Sequence, residues 1–208
     1  GGIRDIAIIT TPQDAEQFRR TLGDGAQWGL DLTYIIQPSP DGLAQAYLLA
    51  EEFLVGGPSA MILGDNIYFG HDLPKLMAEA DARPMGGTVF GYRVADPERY
   101  GVVAFDDRGK ARQIIEKPEH PPSNYAVTGL YFLQQMGRGF AWLDTGTHGS
   151  LLDAGNFVRT LEQRQGLQMG SPDEIAFAKG WISRESLQKR AEKFSKNDYG
   201  DYLKSLLD

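Results

Sequence analysis

The carboxylate of Asp65 is the side chain in this sequence best suited to binding a metal ion. It lies in the motif Leu-Gly-Asp-Asn at residues 63–66, after the largely apolar residues 59–62. This pattern predicts a buried strand that ends just before Asp65, and open α/β sheets bind ligands at the carboxyl ends of their strands. Mg²⁺ is usually held by one or two protein carboxylates and by substrate oxygens. Asp65 is therefore a candidate magnesium ligand; the alternative is a carboxylate that caps the next turn.

A second carboxylate, Asp144, lies in the glycine-rich residues 137–148 and follows Trp142 by two positions. On a strand this spacing places both residues on one face, so Asp144 is a candidate second ligand beside Asp65. The Asp-Thr-Gly at 144–146 also matches aspartic proteases, which need two carboxylates that share a proton. This chain has one copy of the motif within an α/β pattern, which favours the metal role.

Two further motifs follow predicted strands. Residues 37–46 carry two prolines and a glycine before a helix; backbone amides at a helix start attract anions, and the Gln37 amide can recognise a base edge. In Glu116-Lys117-Pro118, the proline predicts an extended backbone at Lys117. Both motifs are also compatible with a purely structural turn.

Composition excludes several classes of function. The chain has 208 residues and a net charge of −7, whereas nucleic-acid binding needs a concentrated basic face. It has no cysteine, which excludes thiol catalysis and disulfides. No apolar run approaches the roughly 18 residues of a membrane span. We therefore expect no nucleic-acid partner and no membrane.

The order of the predicted elements indicates an α/β protein. Strands at 3–10, 32–36 and 59–63 alternate with helices in the first third, and one of these helices places Leu43, Tyr47, Ala50 and Leu54 on one face. Strands at 88–94, 101–105, 111–116 and 125–132 fill the middle, and the Asp-Asp-Arg-Gly at 106–109 predicts a hairpin turn between two of them. The last third is helical, and Leu187, Ala191 and Phe194 form one of its apolar stripes. We expect a Rossmann-like mixed, mostly parallel sheet flanked by helices, with a helical C-terminal part. The predicted domains are an α/β core at 1–150 and a helical region at 151–208.

Together these motifs resemble one family, the glucose-1-phosphate thymidylyltransferases, which are sugar nucleotidyltransferases that open bacterial dTDP-L-rhamnose synthesis. The similar stretches occur in the family's order and cover most of the chain: residues 2–6, 37–46, 63–66, 96–103, 116–118, 124–132 and 137–148.

The resemblance implies Mg²⁺-dependent transfer of a nucleotidyl group from dTTP to glucose 1-phosphate, which gives dTDP-glucose and pyrophosphate. Asp65 and Asp144 match the family's metal ligands, and Asp65, Lys117 and Asp144 match its catalytic residues. Gln37 and Gly42 match positions that contact the base. The positions that match the sugar-phosphate site are Tyr100, Gly101, Glu116, Lys117, Val127, Tyr131 and Trp142.

The resemblance further implies a cytoplasmic homotetramer with a second nucleotide site, where a dTDP-sugar product or feedback inhibitor binds. Positions that match this allosteric site are Gly70, His71, Gly137, Arg138, Glu174 and Ile175. A family arginine on the same helix is Ala178 here.

Two departures from the family leave alternatives open. The family's first strand and glycine-rich loop have no counterpart in this sequence, and residues 133–136 stand where the family carries a further segment. The alternatives are a UTP-using sugar-1-phosphate uridylyltransferase and an inactive sugar-nucleotide-binding fragment.

Overall fold

The computed structural model describes residues 2–39, 42–55, 57–70, 72–83, 87–131, 133–135 and 141–208. They divide into two compact units. The central unit is Ser59–Phe157, and the terminal unit combines Gly2–Pro58 with Val158–Asp208. The division into 1–150 and 151–208 expected from the sequence stays a prediction.

The first half of the terminal unit alternates strand and helix, as its sequence pattern indicates. Strands β1 (Asp5–Thr10) and β2 (Asp31–Ile36) pair in parallel, with Asp5 opposite Asp31. Helix α1 (Ala15–Leu22) connects them, followed by a short 3₁₀ turn. The helix predicted from Leu43 to Leu54 is interrupted at Ala50, which separates α2 (Leu43–Leu49) from α3 (Glu51–Leu54).

The C-terminal part of the terminal unit is helical, as expected. Its helices are α5 (His148–Gln165, whose first ten residues belong to the central unit), α6 (Pro172–Ala178), α7 (Arg184–Lys193) and α8 (Asp198–Ser205). Ser171, Ser183 and Asn197 cap α6, α7 and α8 by accepting backbone N–H groups of the first turn. The buried side chains of Leu187, Ala191 and Leu203 join α7 to α8.

The central unit contains a five-stranded sheet in the order β6-β5-β7-β4-β8. The strands are β4 (Val89–Arg93), β5 (Gly101–Phe105), β6 (Ala111–Glu116), β7 (Tyr125–Val127) and β8 (Leu133–Gln135). Strands β5 and β6 form the predicted hairpin, whose turn places Gly109 at φ 74° and lets Asp106 accept backbone N–H groups from Arg108 and Lys110. Phe90, Ala80 and Leu130 form the core between this sheet and α4 (Leu73–Asp81).

A second, two-stranded sheet in the central unit corrects one prediction. Strand β3 is Asn66–Phe69, which follows Asp65, and it pairs with β9 (Ala141–Asp144) in antiparallel orientation. The strand predicted at 59–63 is reduced to one isolated bridge between Ile62 and Leu130, and Ile62 is 59% exposed. A strand forms where a partner supplies its hydrogen-bond ladder, and β9 supplies it only after Asp65.

The α/β class predicted from the sequence is confirmed. Pairing is parallel for β1 with β2 and for β4 with β8, and antiparallel between the other paired strands of the described residues. In this part of the chain no helix combines the length and apolar character needed to cross a bilayer.

Candidate active site

Asp65 is an exposed residue held by its backbone at the start of β3. Its carbonyl oxygen accepts the backbone N–H of Thr145 at 2.9 Å and the Thr145 hydroxyl at 2.7 Å. Two bonds from one residue fix this carbonyl against the end of β9, while the carboxylate stays accessible to solvent. The structure thus joins the two predicted metal motifs directly.

The carboxylate of Asp65 is itself linked to the neighbouring strand through Asn66. The Asn66 Nδ2 group donates to Asp65 Oδ1 at 2.7 Å, and Trp142 Nε1 donates to Asn66 Oδ1 at 2.7 Å. An indole N–H can only donate, so it selects the amide orientation that turns Nδ2 toward the carboxylate. The result is a hydrogen-bonded chain that runs from Trp142 through Asn66 to Asp65.

Asp144, the second predicted ligand, has its backbone opposite Asn66 in the β3–β9 ladder. Among the described residues no three His, Asp or Glu side chains gather into a metal site. Mg²⁺ does not require such a cluster, because it commonly takes one or two carboxylates and completes its shell with water and phosphate oxygens. An exposed Asp65 carboxylate beside the backbone of Asp144 fits that requirement.

Aromatic rings form one wall of the site. The Trp142 ring meets Tyr100 edge-on, with centroids 5.2 Å apart, and lies 5.9 Å from the ring of Tyr92. A cavity of about 320 Å³ opens beside these three rings and is also lined by Arg93, Asp96, Arg99 and Asp153. Asp96 and Arg99 form an ion pair at 2.9 Å within it.

The predicted sugar-phosphate residues of β5, β6 and β7 meet around Gly101. A Cβ atom at Gly101 would lie 2.9 Å from Glu116 Oε2 and 3.9 Å from Val127 Cβ. Gly101 therefore lets the Glu116 side chain lie against the backbone of β5. Together with the neighbouring Tyr100, these residues surround one small region of the sheet surface.

Lys117 corrects the prediction of an extended backbone before Pro118. Its φ is 42°, in the left-handed region that residues with a Cβ rarely adopt. Strand β6 ends at Glu116, and the Lys117 N–H then donates to the Tyr100 carbonyl at 3.0 Å. This tertiary hydrogen bond outweighs the local preference imposed by proline. A strained, exposed lysine beside Tyr100 is typical of a functional position.

The backbone N–H of Tyr131 donates to the Met61 carbonyl at 3.3 Å. The nearby Tyr68 hydroxyl donates to the Thr128 carbonyl. Burial raises the pKa of Tyr68 to about 12, and the charges of Tyr131 and Asp65 add to that rise. Tyr68 is thus a neutral hydrogen-bond donor beneath the site at neutral pH.

The predicted base-contacting residues lie in the terminal unit. Gln37 follows β2, and its Nε2 donates to Gln45 Oε1 at 2.7 Å. Gly42 precedes α2 with φ 99°, a conformation that favours glycine. These observations describe a glutamine held at a strand-to-helix turn.

The predicted allosteric residues are divided between the units. Gly70 follows β3 in the central unit, and Glu174 and Ile175 lie in α6 of the terminal unit. Glu174 accepts the Tyr202 hydroxyl at 2.6 Å, and Ile175 is 46% exposed. His71, Gly137 and Arg138 lie outside the described residues.

Sequence reasoning did not assign roles to Asn66 and Thr145. Each directly follows one of the two predicted metal ligands, so both were in the motifs already singled out. Both residues donate hydrogen bonds to Asp65. Neither the residue types nor their spacing in the sequence predicts these contacts.

Comparisons with known proteins show the family of the chain. Residues 1–136 match the model of the family described as Nucleotidyl transferase. A glucose-1-phosphate thymidylyltransferase from Xanthomonas campestris pv. campestris is 51% identical over 241 residues, which cover 99% of this chain and 82% of that relative. The chain belongs to the glucose-1-phosphate thymidylyltransferase family. It is therefore a nucleotidyltransferase of the class that acts on a sugar 1-phosphate.

Other glucose-1-phosphate thymidylyltransferases are also similar. The one from Mycobacterium tuberculosis is 43% identical, with coverage of 100% of this chain and 84% of the relative. A solved Bacillus anthracis protein described by the same name superimposes with a TM-score of 0.68 at 31% identity, over 81% of this chain and 79% of that one. A UDP-glucose pyrophosphorylase complexed with UDP-glucose, at 21% identity and a TM-score of 0.63 over 76% of this chain and 82% of that one, shares the fold.

The alignments also show that the relatives carry extra residues within the matched span. The match to the Xanthomonas relative extends over 241 residues, more than the 208 of this chain.

Proposed function

We propose that this chain catalyses transfer of a thymidylyl group from dTTP to glucose 1-phosphate, with Mg²⁺ as cofactor. The observation that carries the proposal is the β3–β9 pairing, which brings the Asp65 carbonyl onto Thr145 and the backbone of Asp144 opposite Asn66. The two residues that match the family's metal ligands thus lie on neighbouring segments of backbone.

The remaining catalytic groups connect to this pair through direct contacts. Asp65 is linked through Asn66 to Trp142, and Trp142 packs on Tyr100. The Tyr100 carbonyl accepts the Lys117 N–H. The Glu116 side chain lies against Gly101, which directly follows Tyr100. These contacts support the proposal that the sugar-phosphate residues and the metal residues form one site in the central unit.

In the proposed reaction, a phosphate oxygen of glucose 1-phosphate attacks the α-phosphorus of dTTP. A new phosphorus–oxygen bond forms as the bond from the α-phosphorus to the bridging oxygen breaks, and pyrophosphate leaves. Such transfers depend on positioning and charge neutralisation rather than covalent catalysis. When bound, Mg²⁺ supplies charge neutralisation at the phosphate oxygens. Asp65 and Asp144 hold the cation, and the Lys117 ammonium binds phosphate.

Preference for dTTP over UTP rests on the relatives. Proteins at 39% to 51% identity over nearly all of this chain are named glucose-1-phosphate thymidylyltransferases. In this proposal Gln37 and Gly42 contact the thymine base. The wider setting that we propose is the first step of dTDP-L-rhamnose synthesis in the cytoplasm by a homotetramer that a dTDP-sugar regulates.

The test is a pyrophosphate-release assay with glucose 1-phosphate and either dTTP or UTP, with and without Mg²⁺. The proposal predicts Mg²⁺-dependent release that is faster with dTTP. Faster release with UTP would identify a uridylyltransferase. No release with either nucleotide, together with binding of dTDP-glucose, would identify the inactive sugar-nucleotide-binding alternative.

A further inference from the structure

The side chain of Asn66 occupies the position between the proposed metal carboxylate and the aromatic wall. It accepts from Trp142 Nε1 at 2.7 Å and donates to Asp65 Oδ1 at 2.7 Å. Asn66 itself is half-buried in β3, while Asp65 is exposed. One partner of the amide is therefore fixed in packed structure, and the other is a carboxylate at the surface.

We propose that Asn66 is a positioning residue that holds the Asp65 carboxylate in the rotamer that binds the cation, and that Trp142 acts on Asp65 through Asn66. This inference rests on the proposed metal role of Asp65. The bond from Asn66 occupies one lone pair of Oδ1, and the other carboxylate oxygen accepts no hydrogen bond from the residues that the structure describes.

The physical argument is one of preorganisation. An exposed aspartate samples several rotamers, and binding that selects one of them loses affinity by the entropy of that selection. An amide that already holds the carboxylate removes this loss. Partners of metal-binding carboxylates commonly contribute about 10- to 100-fold in metal affinity.

Trp142 determines which end of the amide faces Asp65. If the indole N–H were absent, the amide could rotate and turn Oδ1 toward the carboxylate, where two acceptors would repel each other. Trp142 is in turn held between Tyr100 and Tyr92. The packing of the rings in the aromatic wall thus sets the orientation of the Asp65 carboxylate.

The test measures Mn²⁺ binding by the loss of its free-ion electron paramagnetic resonance signal, which does not depend on turnover. Mn²⁺ is used because it accepts the same oxygen ligands as Mg²⁺. The proteins are wild type, Asp65→Asn, Asn66→Ala, Trp142→Phe and the double variant Asn66→Ala with Trp142→Phe. Tyr34→Phe is the control, since it removes a tyrosine hydroxyl-to-carbonyl hydrogen bond within the terminal unit and leaves the Asp65 chain intact. Circular dichroism and thermal unfolding verify that each variant is folded.

We expect Asn66→Ala to weaken Mn²⁺ binding about 10- to 100-fold, and Tyr34→Phe to leave it unchanged. Trp142→Phe should weaken binding in the wild-type background and have no further effect in Asn66→Ala, because its influence passes through Asn66. Additive losses would overturn the link between the two residues. Unchanged binding in Asn66→Ala would overturn the proposal, while loss in Asp65→Asn would still support the metal site. Unchanged binding in Asp65→Asn would overturn the metal assignment itself.

Discussion

Thr145 binds the backbone carbonyl of Asp65 twice, through its N–H at 2.9 Å and its hydroxyl at 2.7 Å. These two residues are 80 positions apart in the chain. These two hydrogen bonds to one carbonyl oxygen fix where β3 begins relative to β9. Residues from two distant motifs are thereby held at one site. The hydrogen bond from the Thr145 hydroxyl can be removed while the backbone hydrogen bond stays.

Replacing Thr145 with valine keeps the side-chain shape and the backbone bond but removes the hydroxyl donor. We expect a loss of about 1 kcal/mol in the free energy of unfolding. The same loss in stabilisation of the transition state lowers the rate about fivefold. Denaturant unfolding and pyrophosphate release measure the two effects. Thr21→Val is the matched control, because it removes a hydroxyl-to-carbonyl bond of 2.8 Å within α1; equal activity in both variants would contradict the role of Thr145.

Two substitutions at Lys117 distinguish the effect of losing the amine from the effect of relieving the strained left-handed backbone. Lys117→Ala and Lys117→Gly both remove the amine, and each should lower activity by about 10²- to 10³-fold, as loss of a charge-stabilising group does. Glycine adopts this conformation without the steric cost of about 1–2 kcal/mol that a Cβ brings. Lys117→Gly should therefore unfold at a higher temperature than Lys117→Ala.

Val55, with φ 48° and 85% exposure, offers the matched control for this strain. Val55→Gly should also be more stable than Val55→Ala, with activity unchanged in both. A more stable alanine variant at position 117 would show that the left-handed conformation is not maintained in solution.

A buried ion pair stabilises the terminal unit. Arg190 donates to both oxygens of Asp173, at 2.6 and 3.1 Å, and the Tyr199 hydroxyl donates to the same carboxylate. Asp173 is 1% exposed, so Arg190→Met would leave a buried charge without its cation. We expect a loss of about 3–5 kcal/mol in the free energy of unfolding.

Lys204→Met is the comparison for this prediction, because it breaks the exposed pair with Asp201. Exposed pairs contribute about 0–1 kcal/mol. Denaturant titrations that gave equal losses for the two variants would contradict the account of the buried pair.

Alkaline pH should destabilise the protein through Tyr202. Burial, and then the hydrogen bond to Glu174, raise the pKa of the Tyr202 hydroxyl to about 12, above the value of about 10 in an unfolded chain. Below pH 10 the hydroxyl is neutral in both states and its contribution is complete. As the pH rises from about 10 to 12, the unfolded chain loses this proton first, so stability falls.

Tyr202→Phe removes this titration, so its unfolding free energy should fall less steeply across that pH range than that of wild type. Denaturant titrations at several pH values between 9 and 12 measure both slopes. Parallel slopes would show that Tyr202 does not carry the effect.

The sequence predicted those helices and hairpins that depend on interactions between residues close together in the chain. The β5–β6 hairpin was predicted because Asp106 and Gly109 encode its turn, and the helix stripe around Leu187 encodes α7. The strand at 59–63 was wrong because pairing depends on a distant partner. Apolar composition cannot tell which residues of the segment meet β9.

The candidate site shows the same division. Asp65 and Glu116 are recognisable from their motifs, whereas the backbone of Lys117 depends on a bond to Tyr100 that only the folded sheet provides. The preference that proline imposes on the preceding residue was a sound local rule, and the tertiary hydrogen bond outweighed it. The role of Asn66 depends on the position of Trp142, 76 residues away.

The most direct test of the central claim is pyrophosphate release from dTTP and glucose 1-phosphate by Asp65→Asn, compared with wild type. Asp107→Asn, at an exposed turn position, is the control for loss of one carboxylate. The account predicts that Asp65→Asn stays folded and loses at least about 10²-fold in rate, as expected when a charge-stabilising group is removed, while Asp107→Asn is unaffected. A wild-type rate in folded Asp65→Asn would contradict the assignment of Asp65 to the catalytic site.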